Sequence, residues 1–131
     1  MAKSIAEKLL IKPGTTIFVW PSARLDLVGA LPNGVRVVDG MEAATAAVLF
    51  VDDAATASAA FEAHREHLSK PAFFWICYPK GGRADINRDS LWPMLTPYGL
   101  RPITQIAIDD VWSALRFRQL APGETPFMGG G

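Results

Sequence analysis

Nine side chains able to take part in binding stand at or just past the ends of four short apolar runs. Trp20, Ser22 and Arg24 lie at the exit of Thr16 to Trp20, and Asp39 follows Val35 to Val38. Asp52 and Asp53 follow Ala47 to Val51, while Tyr78, Lys80 and Arg83 close Ala72 to Tyr78 and lead away from it. An indole stacks on flat rings, a carboxylate holds hydroxyl groups, and cationic side chains take up carboxylate or phosphate. Lys80, Arg83 and Arg88 flank Gly81-Gly82, where glycine permits hinge motion, so this segment could close over an anion. The chemistry these residues suggest is recognition of a small anionic or nucleotide-like ligand or of a protein partner. No glycine-rich phosphate loop, nucleophile elbow or metal-ligand cluster is present, and no residue is assigned as catalytic or as a metal ligand.

Other reactive side chains have structural explanations. Cys77 lies inside an apolar run with no cationic helix end to lower its pKa, which predicts a packed thiol. His64 and His67 flank Glu66, but they lack the His-x-x-x-His spacing of a helical zinc site and no third ligand is suggested. They read as a solvated helix face with one histidine partly buried. Trp75, Trp92 and Trp112 read as packing residues, whereas Trp20 stands where its ring could meet a ligand.

The apolar runs have to position these groups. A strand with one face in water alternates apolar and polar residues; a strand covered on both faces does not, so the runs predict a parallel sheet between two helical layers. Ser4 and Glu7 have capping-box spacing ahead of Ile5, Leu9 and Leu10, which predicts a short docking helix ended by Lys12-Pro13-Gly14. Ser22 is expected to cap a helix carrying Leu25, Val28 and Leu31, and Pro32-Asn33-Gly34 is a strong turn. Only Gly40 to Ala46 separates the second and third strands, less than the dozen or so residues a parallel crossover usually takes, so a single helical turn or a plain loop must serve.

Asp52 and Asp53 precede the clearest helix, Thr56 to Leu68, and Asp89 or Ser90 is expected to cap a last helix that contains Pro93 and stops at Tyr98-Gly99. Pro102 to Ile108 and Val111 to Leu120 predict a hairpin joined at Asp109-Asp110. That hairpin offers an edge for pairing with a second copy, although Arg116, Arg118 and nearby prolines serve to blunt one. Residues 1–121 are expected to form one domain and residues 122–131 a loose tail.

The chain has 131 residues, one domain's worth, and its 13 acidic and 13 basic side chains cancel. It therefore has no general field to draw nucleic acid or an anionic membrane surface, and neither is expected as a partner. A single cysteine, no apolar stretch of bilayer length and no signal-peptide core together predict a reducing cytoplasm.

The order of these elements resembles the Rossmann-like fold of S-adenosylmethionine-dependent methyltransferases. Leu68-Ser69-Lys70-Pro71-Ala72 leads into an apolar strand much as their Leu-Lys-Pro-Gly-Gly segment does, and the closing hairpin looks like theirs. The resemblance implies a three-layer α/β domain with a mostly parallel sheet of order 2-1-3-4-6-5, lacking the methyltransferase edge strand and its helix. The chain also resembles a small bacterial family known as a domain of unknown function. The similar segments are Leu10 to Gly14, Leu49-Phe50-Val51, Trp75 to Lys80 and Asp109 to Leu115.

In such sheets ligands bind beyond the carboxyl ends of the strands where strand order reverses, here between strands one and three, which would gather Trp20, Ser22, Arg24, Asp39, Asp52 and Asp53 in one crevice with Tyr78, Lys80 and Arg83 beside it. Asp39 matches the place of a ribose-binding carboxylate, but Trp20-Pro21-Ser22-Ala23-Arg24 replaces the glycines that let backbone approach the cofactor. The reading that follows is a non-catalytic module for a small ligand or protein partner. Its rivals are a divergent S-adenosylmethionine- or nucleotide-binding enzyme, with Asp39 on ribose, Trp20 stacking and Lys80 or Arg83 on a carboxylate, and a structural subunit dimerising through the hairpin.

Overall fold

The computed structural model describes residues 3–126. Six strands form one sheet: β1 (Thr16–Trp20), β2 (Arg36–Val37), β3 (Ala46–Phe50), β4 (Phe73–Pro79), β5 (Leu100–Ala107) and β6 (Trp112–Gln119). Their order is β2-β1-β3-β4-β6-β5, as the resemblance implies. The first four strands are parallel, and β6 and β5 close the sheet antiparallel. Three α-helices accompany them: α1 (Ile5–Lys8), α2 (Ala54–Ala63) and α3 (Arg88–Leu95).

The unbroken apolar runs exist because both faces of the central strands are covered. Along β1, Ile17 and Val19 point to one face while Phe18 and Trp20 point to the other. Phe18 and Leu49 pack with Phe61 of α2 and with Leu91 and Leu95 of α3. On the opposite face Ile17, Val48 and Trp75 pack with Ala6 and Leu9, at the α1 end, and with Val28. Every residue of β3 is buried, which is why that stretch carries no polar side chain.

Local signals set most boundaries. Ser4 and Glu7 form the expected capping box, each side chain accepting from the other's backbone N–H. Gly99 takes φ 78°, a left-handed conformation that costs glycine least, and ends the last helical segment where expected. The β2–β3 link holds a single 3-10 turn, Met41–Ala43. Thr16 ties it to β1: its hydroxyl donates to the Ala43 carbonyl (2.8 Å) and accepts from the Thr45 N–H (3.0 Å).

Four local expectations are corrected. Ser22 caps nothing by its side chain; Pro21 is the cap residue, and Ser22–Leu27 is a 3-10 helix rather than an α-helix. Leu25, Val28 and Leu31 still pack against the sheet. The α3 cap is Asn87, whose carboxamide oxygen accepts from Ser90 N–H (2.9 Å) while the Ser90 hydroxyl accepts from Asn87 N–H, so Ser90 is the reciprocal partner and Asp89 lies within the first turn. Helix α2 ends at Ala63 because His64 leaves the helical region, and turns carry the chain on to Leu68, which remains buried. The hairpin strands start and stop a few residues away from the expected positions, at Leu100–Ala107 and Trp112–Gln119.

Of the expected tail, Glu124 binds Arg118 (2.6 Å) and Arg101 (2.7 Å) and accepts from Ala121 N–H. Residues 127–131 lie outside the described residues. Among those described, no helix is long and apolar enough to cross a membrane.

The Trp75 indole is fully buried and donates to the Leu9 carbonyl (3.0 Å), joining β4 to the end of α1. Trp75→Phe leaves that carbonyl without its partner and is expected to lower stability by about 1–3 kcal/mol, read as a fall in urea midpoint at unchanged m-value.

Candidate functional site

Where β1 and β2 end, the sheet runs out of covering helix. The short 3-10 turn between β2 and β3 supplies none, and α2 reaches this corner only through its C-terminal residue cap, His64. The result is a cavity of about 460 Å³. Phe18 and Trp20 of β1 wall one side, Val37 and Val38 another, and Pro21, Ser22 and Leu25 the entry to the 3-10 helix. Asp39 and His64 complete it. The lining is mostly apolar, with few polar groups, which is the usual make-up of a small-ligand pocket.

His64 makes T-shaped contacts with two aromatic rings, its centroid 5.6 Å from Phe18 and 6.2 Å from Trp20. Burial lowers its pKa, the neighbouring His67 adds to the effect, and Glu42 opposes it. At neutral pH it is therefore an uncharged imidazole. Asp39 is exposed at the exit of β2 and is the one carboxylate in the lining, which contains no lysine or arginine.

The nine residues divide into five locations. Trp20, Ser22 and Asp39 line the cavity. Arg24 pairs instead with Asp52 (3.0 Å) and lays its guanidinium over the Trp112 ring at 5.1 Å, so these two charges answer each other. Asp53 caps α2, its carboxylate accepting from Thr56 N–H at 2.7 Å, and that bond lowers its pKa. Tyr78 is only 4% exposed and burial raises its pKa.

Lys80 and Arg83 belong to the loop from β4 to α3, which turns through left-handed Gly81 and Gly82. That loop is fastened at two points. Lys80 N–H donates to the Val111 carbonyl (2.7 Å), and the Asp85 carboxylate accepts from Ala54 N–H (2.8 Å) at the start of α2.

Cys77 is fully buried and its thiol is pushed well above the ordinary range by burial, a packed group as expected. His67 faces Glu42 at 3.8 Å, and no group of three or more metal-binding side chains occurs among the described residues. Sequence reasoning missed Phe18, Pro21, Val37, Val38 and above all His64 as lining. Spacing gave only a hint, since His64 follows Ala60 and Phe61 at helical intervals.

No family model matches this chain, and no curated protein matches it. Solved structures do. Sp1610 of Streptococcus pneumoniae, described as a candidate tRNA (m1A22) methyltransferase, superposes with a TM-score of 0.58 at 11% identity, over 98% of this chain and 73% of that one. A protein of the NADB-Rossmann superfamily from Streptococcus agalactiae also gives 0.58 at 11% identity, over 98% and 71%. The chain thus has a Rossmann-like, methyltransferase-like fold.

S-adenosylmethionine, which that fold implies, does not fit here in the family's manner. Pro21 and Trp20 put side chains into the cavity at the β1 exit, Pro21 has no N–H to offer, and the first glycine after β1 is Gly29.

A histidine held neutral by folding makes stability pH-dependent. As pH falls through about 6.5 the unfolded chain gains a proton that the native imidazole resists, so stability drops until pH reaches the lower native pKa. The urea midpoint is expected to fall between about pH 7.5 and about pH 5, and to fall less in His64→Gln; equal slopes would place the acid lability elsewhere.

Proposed function

We propose that this chain is a non-catalytic binding module that holds a small ligand in the cavity at the ends of β1 and β2. One observation carries the reading: a concave, mostly apolar space of about 460 Å³ lies beyond the carboxyl ends of parallel strands, with the Trp20 ring and the Asp39 carboxylate both on its wall. Open α/β sheets bind ligands beyond the carboxyl ends of their strands, and here the cavity lies at the ends of β1 and β2 rather than at the expected switch point between β1 and β3. The ring offers a stacking surface, and the carboxylate accepts from a hydroxyl or amine. The thiol of Cys77 and the phenol of Tyr78 are packed inside the sheet, away from the cavity. A cytoplasmic address accords with the lone buried thiol.

A divergent enzyme is the second reading, favoured by Asp39 at the exit of β2 in a methyltransferase-like fold. Calorimetric titration of the full chain with adenosine, S-adenosylmethionine, S-adenosylhomocysteine, common nucleotides and small methylated amines separates the two. Saturable binding is expected for at least one of these, weakened about tenfold by Asp39→Ala and by Trp20→Ala. Of the four tryptophans only Trp20 lines the cavity, so ligand-dependent fluorescence should vanish in the Trp20 variant. Heat from no compound in the panel would sink the proposal. Tight S-adenosylmethionine binding with methyl transfer to an acceptor would replace it with the enzyme.

A further inference from the structure

The lining of this cavity has a sign. Asp39 is its one formally charged group, no lysine or arginine lines it, and the guanidinium of Arg24 is held by Asp52 at 3.0 Å and by the Trp112 face. Three rings share the lining with that carboxylate: Trp20, Phe18 and the imidazole of His64, which lies 67° and 74° from the planes of Phe18 and Trp20. His64 is met there by Phe18 and Trp20 of β1, by His67 beyond α2 and by Glu42 of the 3-10 turn, a setting in which burial keeps the imidazole uncharged.

Aromatic faces carry a negative quadrupole and attract cations, most strongly those whose methyl groups make them poorly hydrated. A phosphate or carboxylate would instead face Asp39 and the ring faces with no cation to answer it. Val37, Val38, Leu25 and Pro21 add apolar wall against which methyl groups lose little on leaving water.

Resting on the reading of this cavity as a ligand site, we propose that it selects a small organic cation, of the methylated ammonium type, over uncharged or anionic molecules of the same shape. Trp20 supplies the face, Asp39 the counter-charge and the valines the apolar floor.

The test compares three probes of one shape on the full chain: choline, its uncharged carbon isostere dimethylbutanol, and the anion dimethylbutyrate. Choline is expected to bind about tenfold tighter than dimethylbutanol, with dimethylbutyrate weakest. Asp39→Asn should reduce choline affinity about fivefold or more and leave dimethylbutanol unchanged, whereas Trp20→Leu should weaken both. Thermal midpoints of both variants report whether they remain folded. Equal binding of choline and dimethylbutanol, tighter binding of the anion, or no saturable choline binding up to about 20 mM would overturn the cation preference. If adenosine still bound at Trp20 in that case, the ligand site would stand and only its selectivity would fall; if nothing bound, both would fall.

Discussion

The brevity of the link between β2 and β3 shapes the rest of this molecule. A parallel crossover has to climb over one face of the sheet and return, and residues 38–45 are long enough for only a single 3-10 turn. Met41 plugs that turn into the core, 1% exposed, and the Thr16 hydroxyl clamps it to β1 from both sides. With no helix in the link, β2 pairs over two residues only and Val37 is left 50% exposed at the sheet edge. The face above β1 and β2 is then covered by whatever else can reach it. The end of α2 reaches it, through His64, and the uncovered remainder is the cavity.

Both faces of the central strands are covered. Helices α2 and α3 lie on one face, the short α1 and the 3-10 segment after Pro21 on the other, and the β5–β6 hairpin extends the sheet past β4. The Trp75–Leu9 hydrogen bond lets so short a helix as α1 hold its place, since it satisfies a buried carbonyl and a buried indole N–H together. At the far edge Glu124 gathers Arg101 and Arg118, and these bonds hold its carboxyl down at about 2. The sheet is thus fastened at the hairpin end and open at the β2 end.

The cavity and the fold place different demands on the same segment. Trp20 and Pro21 occupy the β1 exit, where a methyltransferase would use glycine to bring backbone close to its cofactor. Bulk there takes the place of backbone N–H groups, with Pro21 having none to offer. The likeness to methyltransferase-type structures is therefore one of fold.

The strands, their burial on both faces, the closing hairpin and the shortness of the crossover were all legible in the residues alone. Each follows from near-neighbour physics: runs of Val, Ile, Phe and Ala, the Ser4–Glu7 box, Asp53 ahead of α2, the left-handed Gly99. The sequence did not reveal that Asn87 rather than Asp89 caps α3, because several competent caps stood in a row and only the geometry of the turn chooses among them. Nor could it sort the nine polar and aromatic residues at the strand ends. Spacing along a chain says which side chains leave the sheet at one end, and Trp20, Ser22 and Asp39 do share a cavity. Whether Arg24 faces a ligand or Asp52, and whether His64 turns inward, was decided in three dimensions, because ion pairs and ring contacts join residues far apart in sequence that meet only after the sheet has formed.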